Sequence, residues 1–465
     1  MSETLRLPAI TRIEGHGRVS LVVGDDGRVT DARFNVLEFR GFEKLLEGRM
    51  IWEMPLVTSR ICGICPVSHH LAAVKAADAL LGAEIPPAAK VLRELLQLAG
   101  FVHDHALHFF LLAGPDFLLG RDAPSRDLLG VLEARPDLAR RAIALRKAGQ
   151  HVVEVLGGQP GHPVTAIPGG MSRPLADDAR VELLATVRDA ILGAAEAETL
   201  SREATLRLLA EHPGFASAPT PLLAQVAAGR AFDVYDGTIV ALAADGSVAD
   251  GFPASDYAAH IGESTLPWTY AKAPYLKAIG VEDGSYRVGP LARLRIAGSM
   301  RGDRADRAAA AFRSELGDTS AALAYHWARM IELVAVLERM EALLADAATS
   351  NAEVRVKVER RGGSGSAAVE APRGTLIHHY EADDVGRVTR ADIIVATTQN
   401  SVAIGRAAAE AVAGERVVDG ELEDAVRLRM ELGIRAYDPC LSCATHEVGR
   451  MPFSVEVIGP CVEGR

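Results

Sequence analysis

The sequence predicts a mainly α protein, with a large helical core and peripheral β-hairpins. Four long segments repeat apolar residues at helical spacing, at 68–81, about 87–113, 176–211 and 320–347. Shorter segments alternate apolar and polar residues on either side of turn residues, as the strands of hairpins do. Hydrophobic residues make up 49% of the 465, so the chain can bury a sizeable core.

Two hairpins and a smaller insertion are predicted at the periphery. The first hairpin runs over 19–36 with its turn at 24–27, and the second begins at 376–380 with its turn at 383–386. Short strand patterns and turn residues between about 231 and 296 indicate a small β-containing insertion. The glycine-rich stretch at 360–366 lacks the Lys-Ser/Thr ending of a phosphate loop, so a plain linker is expected there.

Composition excludes several classes of function. The formal charge is 50 − 61 = −11, and the Lys and Arg residues are scattered among acids, so no nucleic-acid surface is expected. No run of about 18 apolar residues is free of charge, which predicts no membrane span. The start has neither an apolar signal core nor a twin-arginine pair, and a cytoplasmic location is expected, although export with a partner chain stays open.

The cysteines carry the strongest chemical signal. Four of the five form two CxxC motifs, Cys62 with Cys65 and Cys440 with Cys443. The sulfurs of a CxxC motif can face one point, and soft thiolates favour nickel, zinc, copper(I) or iron. On the residues alone, three readings stay open: one four-thiolate metal site, two separate redox pairs, or buried cysteines without a ligand.

The spacing of the two motifs narrows the kind of site. A zinc ribbon places its pairs about 15–20 residues apart, whereas here the separation is 440 − 65 = 375 positions. Cys443 is not followed directly by the histidine that c-type haem attachment needs, and no βαβ unit surrounds either motif as in a thioredoxin-like protein. A site that joins both ends of a large helical core is typical of a buried active site.

At these motifs the sequence resembles the large subunits of nickel–iron hydrogenases. The resemblance runs from Thr11 to the last residues and rests on six linked motifs: TRIEGH (11–16), FRGFE (39–43), RICGICPVSH (60–69), EAPRGTL (370–376), ATTQN (396–400) and DPCLSCATH (438–446). Their forms look most like the soluble bidirectional group, whose members couple to nicotinamide, deazaflavin or heterodisulfide-reducing partners. A related quinone-reductase subunit of respiratory complex I lacks the cysteine pairs that are present here.

The resemblance implies a metal centre and assigns its ligands. Cys62 and Cys440 would be terminal nickel ligands, while Cys65 and Cys443 would bridge nickel to an iron that carries carbon monoxide and two cyanides. The metal would act as a Lewis acid for the heterolytic splitting of dihydrogen. The diatomic ligands would occupy a pocket formed by Pro372, Arg373, Leu376 and Thr397.

The resemblance also implies residues that move protons or tune the centre. Glu14 would accept the proton beside Cys440 and pass it outward. Asp104 and Arg373 would form a polar canopy over the open face of the metal, and His69 would hydrogen-bond to a bridging sulfur. A magnesium ion would take Glu43, the backbone carbonyl of Ile393 and the ring of His446 as ligands.

The resemblance implies partner chains. The sequence has no further cysteine cluster for iron–sulfur ligation, so an iron–sulfur small subunit would carry the electrons away, with a diaphorase or another acceptor module beyond it. A maturation endopeptidase and nickel-insertion proteins are implied as well. The alternative function is a hydrogen sensor or a scaffold subunit of a redox complex.

The predicted organisation has three parts. Residues 1–60 would form the N-terminal hairpin segment, 61–446 the catalytic core, and 447–465 an extension that a protease removes after His446, although an ordinary terminal strand stays open for 453–458. The 465 − 446 = 19 residues of that extension include Cys461, which would not be a ligand. With the extension attached, the second CxxC motif is expected to be displaced from the first or metal-free.

Overall fold

Helices dominate the structure. The computed structural model describes residues 3–7, 10–38, 41–119, 126–217, 219–249, 251–418 and 421–444. The α-helices of these residues are α1 (Phe42–Leu46), α2 (Met54–Thr58), α3 (Pro66–Leu81), α4 (Pro87–Leu107), α5 (Pro115–Leu118), α6 (Leu128–Ala134), α7 (Pro136–Gly157), α8 (Asp177–Glu211), α9 (Tyr257–His260), α10 (Pro290–Ile296), α11 (Asp303–Leu316), α12 (Tyr325–Ala345), α13 (Ala396–Val412) and α14 (Asp424–Ala436).

The strands form small antiparallel sheets around the helices. They are β1 (Glu3–Arg6), β2 (Gly17–Val23), β3 (Val29–Val36), β4 (Ala166–Ile167), β5 (Gly170–Met171), β6 (Leu222–Ala227), β7 (Ala231–Phe232), β8 (Thr238–Leu242), β9 (Ile261–Thr265), β10 (Lys272–Leu276), β11 (Gly363–Ala371), β12 (Gly374–Ala382) and β13 (Val388–Ile394). The three-stranded sheets have the orders β1-β2-β3, β7-β6-β8 and β11-β12-β13, and the pairs β4-β5 and β9-β10 stand apart. This mainly α architecture confirms the predicted fold class.

The core is built around α12. This helix is buried around its whole circumference from Tyr325 to Leu337, and it packs against α8 and α4. A helix that is buried on every face must be covered on all sides by other elements, and its polar residues His326, Arg329 and Glu332 are buried with it. The neighbouring helices cover it, and α4 brings a polar patch at 103–105 into the same interior.

The predicted helices are confirmed with small changes at their ends. The predicted helix at 68–81 begins two residues earlier, at Pro66, since proline is well accommodated at the first helical position. The predicted helix at 87–113 changes from α to π geometry over His108–Ala113. Among the described residues, the segment Pro87–Ala113 is long and apolar enough to cross a membrane, but 72% of its apolar window is buried within the fold, as in a core helix.

The interpretation of 360–366 as a linker is wrong. Gly363 begins β11, which pairs along its length with β12. The small residues of this stretch let the sheet approach α3 closely: a Cβ on Gly365 would lie 2.4 Å from the carbonyl oxygen of Ala76 and 2.4 Å from the amide nitrogen of Leu80. Glycine is required here by a close approach of two backbones, and not by flexibility.

The β-containing region begins earlier than the sequence pattern indicates. Strand β6, at Leu222–Ala227, precedes the predicted start at 231 and forms the centre of the sheet β7-β6-β8. The amide of Gln225 in β6 donates to the carboxylate of Glu370 in β11, so this sheet is joined to the core. The three-part division of the chain stays a prediction.

The loop before the N-terminal hairpin lies beside the last described residues of the chain. The predicted strands at 19–36 are confirmed as β2 and β3, and β3 packs against α13. The loop before β2 forms a parallel bridge to the end of the described chain, between Glu14 and Cys440. Its backbone bonds join the amide of Glu14 to the carbonyl of Pro439 at 3.3 Å and the amide of Leu441 to the carbonyl of Glu14 at 3.0 Å.

The contact between α3 and β11 gives a prediction about stability. Gly365→Ala should destabilise the protein by about 1–3 kcal/mol, because its methyl group would meet backbone atoms of α3, which can move away only if the whole helix moves. Gly405→Ala is the matched control: that glycine lies inside α13 with nothing within 4 Å of an added Cβ, and it should be neutral or stabilise by about 0.5–1 kcal/mol. Thermal unfolding of both variants measures this, and equal effects would contradict the close approach.

Candidate metal centre

Four buried thiols meet at one point. The Sγ atoms of Cys62 and Cys440 are 3.2 Å apart, those of Cys65 and Cys443 3.5 Å, and those of Cys440 and Cys443 3.1 Å. All four ligand atoms lie within 4.8 Å of one another, and all four residues are buried. These separations exceed the roughly 2.05 Å of a disulfide. They are near the roughly 3.7 Å expected between thiolates that share one metal ion.

The first pair sits at the N-terminus of α3, as the sequence predicts. Cys65 is the N-cap residue of the helix and Pro66 follows it. The backbone amides of Ile64 and Cys65 donate to the sulfur of Cys62 at 3.3 and 3.4 Å. The helix therefore begins with its positive end toward the sulfurs, which favours the thiolate form.

The second pair is held in place by residues outside its own segment. Asp438 has a positive φ of 55°, which turns the chain before Pro439. The amide of Cys440 donates to the hydroxyl of Thr397 at 3.0 Å, and the backbone bridge to Glu14 fixes the other side. The expected displacement of this motif from the first is wrong, because these contacts hold 440–444 beside the first pair. The predicted extension at 447–465 lies outside the described residues.

The donor set fits a metal cation. Hydrogen bonds from the neighbouring thiols, Cys440 first, hold the pKa of Cys62 well below its ordinary value, with a contribution from Arg373. Burial raises the pKa of Cys440 well above its ordinary value. One buried thiolate thus discourages the next, and several can ionise together only if a cation lies among them. The soft donors favour nickel, iron or zinc over magnesium or calcium.

Glu14 contacts the centre from the N-terminal side. One carboxylate oxygen, Oε2, lies 3.2 Å from Sγ of Cys440 and accepts from the amide of Ser442 at 3.0 Å. The hydroxyl of Ser442 donates to Glu38 at 3.3 Å, and the other oxygen of Glu38 lies 2.6 Å from Nδ1 of His16. The side chain of His16 is 75% exposed, so a string of polar groups runs from the sulfur to the surface.

Arg373 covers another face of the centre. Its Nη1 donates to Asp104 at 2.8 Å, its Nε to the carbonyl of Asp438 at 2.7 Å, and its Nη2 to the carboxylate of Asp438 at 3.0 Å. Burial opposes the charge of Arg373, but Asp104 and then Asp438 outweigh it and raise its pKa well above the ordinary value. Burial raises the pKa of Asp104 to about 7 although Arg373 opposes the shift. The predicted canopy pair is therefore adjacent and buried.

A buried ionic network supports the segment that carries Arg373. Arg293 donates to the carbonyls of Ala371 and Pro372 at 2.9 and 2.8 Å, and its guanidinium pairs with Glu332 and Glu370 at 2.6 and 2.7 Å. These contacts fix the backbone immediately before Arg373. No motif in the sequence indicated Arg293, since its partners come from helices and strands far apart along the chain.

His69 lies at the head of a chain of three buried side chains. Its Nε2 is 3.4 Å from Sγ of Cys443, and its Nδ1 is 3.2 Å from Nε2 of His378. The other nitrogen of His378 is 2.6 Å from the hydroxyl of Tyr380. Burial lowers the pKa of His69 to about 4 and that of His378 well below its ordinary value. The alternation at 376–380 predicted a strand but gave no indication of this role.

Two of the remaining predicted pocket residues, Pro372 and Thr397, lie beside the cysteines. Leu376 and Pro372 are buried, and a cavity of about 100 Å³ adjoins Pro372 and Cys65. Thr397 accepts from the amide of Cys440, which leaves its hydroxyl hydrogen for another acceptor. The assigned roles of these residues stay predictions.

Two of the predicted magnesium ligands, Glu43 and Ile393, contact each other directly, and a lysine lies beside Glu43. The amide of Ile393, and not its carbonyl, contacts Glu43, at 3.0 Å. The ammonium group of Lys272 lies 3.4 Å from both oxygens of Glu43 and 2.8 Å from Glu263, so it already balances charge there. The third predicted ligand, His446, lies outside the described residues. Magnesium therefore stays a prediction, and the described contacts do not favour it.

The fold and the site together define a metalloprotein whose buried thiolate centre joins two segments far apart along the chain, 62–65 and 440–443. The chain belongs to the nickel-dependent hydrogenase family, whose model matches residues 40–128 and 245–446, and a HoxL-like model matches 5–39. Its homologues are large subunits of hydrogenases, and the chain is accordingly an oxidoreductase that acts on hydrogen.

The similar proteins cover almost the whole chain. One subunit of the F420-non-reducing hydrogenase of Methanothermobacter thermautotrophicus is 41% identical over 454 residues, covering 96% of this chain and 95% of the relative. The beta subunit of the NAD-reducing hydrogenase HoxS of Cupriavidus necator is 37% identical over 475 residues, covering 98% and 97%. A chain of an NAD+-reducing [NiFe]-hydrogenase crystallised in the H2-reduced state superimposes with a TM-score of 0.90 at 41% identity, covering 96% and 99%.

The contacts of Arg373 give a prediction about activity. Arg373→Lys keeps the positive charge but cannot make the three bonds to Asp104 and Asp438 in one plane. Hydrogen-dependent dye reduction by the purified complex should fall roughly 100-fold, as when one aligned donor is removed from an active site, while nickel content is kept. Arg339→Lys is the matched control, since Arg339 makes a similar two-armed contact with Glu94. Undiminished activity in Arg373→Lys would show that the aligned donors are not needed.

Proposed function

We propose that this chain holds a nickel–iron centre with carbon monoxide and two cyanides on iron, and that it oxidises dihydrogen reversibly to protons and electrons. Cys62 and Cys440 would be the terminal nickel ligands, and Cys65 and Cys443 would hold both nickel and iron. When bound, the centre supplies a Lewis acid that polarises dihydrogen and accepts its electrons. The convergence of four buried thiols within 4.8 Å is the observation that supports this most strongly.

The side chains around the sulfurs suit the diatomic ligands of iron. The described contacts of Arg373 use three of the five N–H groups of a guanidinium, so two can face ligands. The oxygen of Thr397 accepts a hydrogen bond from the amide of Cys440, and its hydroxyl hydrogen is left to donate to a ligand of iron. Leu376 and Pro372 supply apolar surface that offers no competing hydrogen bond. The two donors would hold the cyanides, and Leu376 would supply apolar surface for the carbonyl.

Glu14 is the proton acceptor of the reaction. Its carboxylate lies 3.2 Å from the sulfur of Cys440, within reach of a proton released at that ligand. The hydroxyl of Ser442 already donates to Glu38. Ser442 contacts Glu14 through its backbone amide and Glu38 through its hydroxyl, so it holds the two carboxylates on one route for the proton. His16, which contacts Glu38 and is largely exposed, then releases a proton to water.

Electrons leave through a second chain. The four clustered cysteines are committed to the proposed centre, and the sequence holds only one other cysteine, so no iron–sulfur cluster can be built here. We assign the role of immediate electron acceptor to an iron–sulfur small subunit, with a diaphorase or similar module beyond it. The two relatives described above are likewise named as subunits. A maturation endopeptidase, nickel-insertion proteins and a cytoplasmic location complete the proposal.

The proton path gives a prediction with an internal test. In the complex purified with its native partners, Glu14→Gln should lose at least about 100-fold of hydrogen oxidation with nickel retained, because the carboxylate acts as a general base. Glu38→Gln should lose about tenfold or more and raise the solvent isotope effect, since proton transfer then limits turnover. Imidazole in the buffer should partly rescue His16→Gln.

A second histidine–carboxylate pair provides the control for the proton path. His151 and Glu182 form an exposed histidine–carboxylate pair far from the cysteines in sequence, with 3.1 Å between them, and His151→Gln and Glu182→Gln should leave both activity and isotope effect unchanged. Full activity in Glu14→Gln would remove Glu14 from the mechanism. Loss in Glu14→Gln together with normal Glu38→Gln and His16→Gln would show that the proton leaves by another route.

A further inference from the structure

We propose that Tyr380 and His378 position the ring proton of His69 on Nε2, facing Cys443, and thereby set how strongly that sulfur donates electrons to the metal centre. The inference rests on the proposed function, in which Cys443 is a metal-bound thiolate. Neither Tyr380 nor His378 contacts a cysteine in the described contacts. Each acts through its neighbour, so both are positioning residues.

The geometry joins the three side chains to the sulfur in one continuous line. The successive separations are 2.6 Å from Tyr380 to His378, 3.2 Å from His378 to His69 and 3.4 Å from His69 to Cys443. The exposed fractions of the three residues are 0%, 0% and 1%, so water does not compete for these bonds. His378 and Tyr380 are two residues apart on β12 and share the face that packs on α3.

The direction of every bond follows from the sulfur. A metal-bound thiolate only accepts hydrogen bonds, so His69 must present its proton on Nε2. Nδ1 of His69 then has only a lone pair and requires a donor, which is Nε2–H of His378. Nδ1 of His378 requires a donor in turn, and the phenol of Tyr380 supplies it. The reverse arrangement would place two lone pairs against each other at the sulfur.

The consequence lies in the electronic properties of the centre. A hydrogen bond to a ligating sulfur withdraws electron density from it, and such bonds are among the factors that set the reduction potential of metal–thiolate centres. Bonds in a chain polarise one another, so the phenol strengthens the bond that His69 makes two steps away. Loss of the phenol should leave the sulfur a stronger donor. The iron-bound carbonyl should then absorb at lower wavenumber, and the midpoint potential should become more negative.

The test compares two buried tyrosines in the intact complex. Tyr380→Phe should shift the carbonyl infrared band to lower wavenumber and the potential to more negative values, with nickel content unchanged. Tyr286→Phe is the matched control, because Tyr286 is also buried and also loses one hydrogen bond, that to Gln399 at 3.0 Å. Both variants should lower the unfolding temperature to a similar extent, but only the first should move the infrared band.

Two outcomes overturn the inference in distinguishable ways. A wild-type complex without carbonyl and cyanide bands would refute the proposed centre, and this inference with it. Bands that are present in the wild type and unmoved in Tyr380→Phe would refute the role of the chain alone. His378→Phe removes both ring nitrogens and gives a second check, since it should produce a shift in the same direction.

Discussion

The convergence of four buried thiols is the constraint on which the rest of the structure depends. The paired cysteines Cys62 and Cys440 are separated by 378 positions in the chain yet lie 3.2 Å apart. Burying several thiolates together is costly unless a cation lies among them and donors surround them. Four elements hold the thiols in place: the N-terminus of α3, the loop at Glu14, α13 and the segment before Cys440. The helical core supplies the rigidity that holds the two ends together.

The groups around the centre divide its tasks among different faces. Glu14, Ser442, Glu38 and His16 lead from Cys440 toward solvent, so this face suits proton movement. The buried chain of Tyr380, His378 and His69 reaches Cys443 from α3, just after the first CxxC motif. All its members are buried, so it suits the tuning of the sulfur and not the movement of protons to solvent. Arg373, clamped by two carboxylates, occupies a third face and is positioned for charge stabilisation.

The sequence alone predicted the fold class, most helices and the residues that carry motifs. Periodicity predicts a helix such as α12 because the residues that determine a helix are neighbours along the chain. Cysteine spacing indicates candidate metal ligands because few other residues bind soft metals. Residues that matter through distant neighbours escape such reasoning. His378, Arg293 and Lys272 carry no local signature, and Gly365 resembled a linker because a close contact with α3 and a flexible loop both select glycine.

The most direct test of the central claim is nickel X-ray absorption on the purified complex. Nickel bound by thiolates from both CxxC motifs should show a shell of sulfur neighbours and one heavier scatterer from iron. Replacing Cys65 or Cys443 by serine should remove the iron contribution or the metal itself. A nickel shell dominated by nitrogen and oxygen, or a sulfur shell unchanged in both variants, would contradict the account.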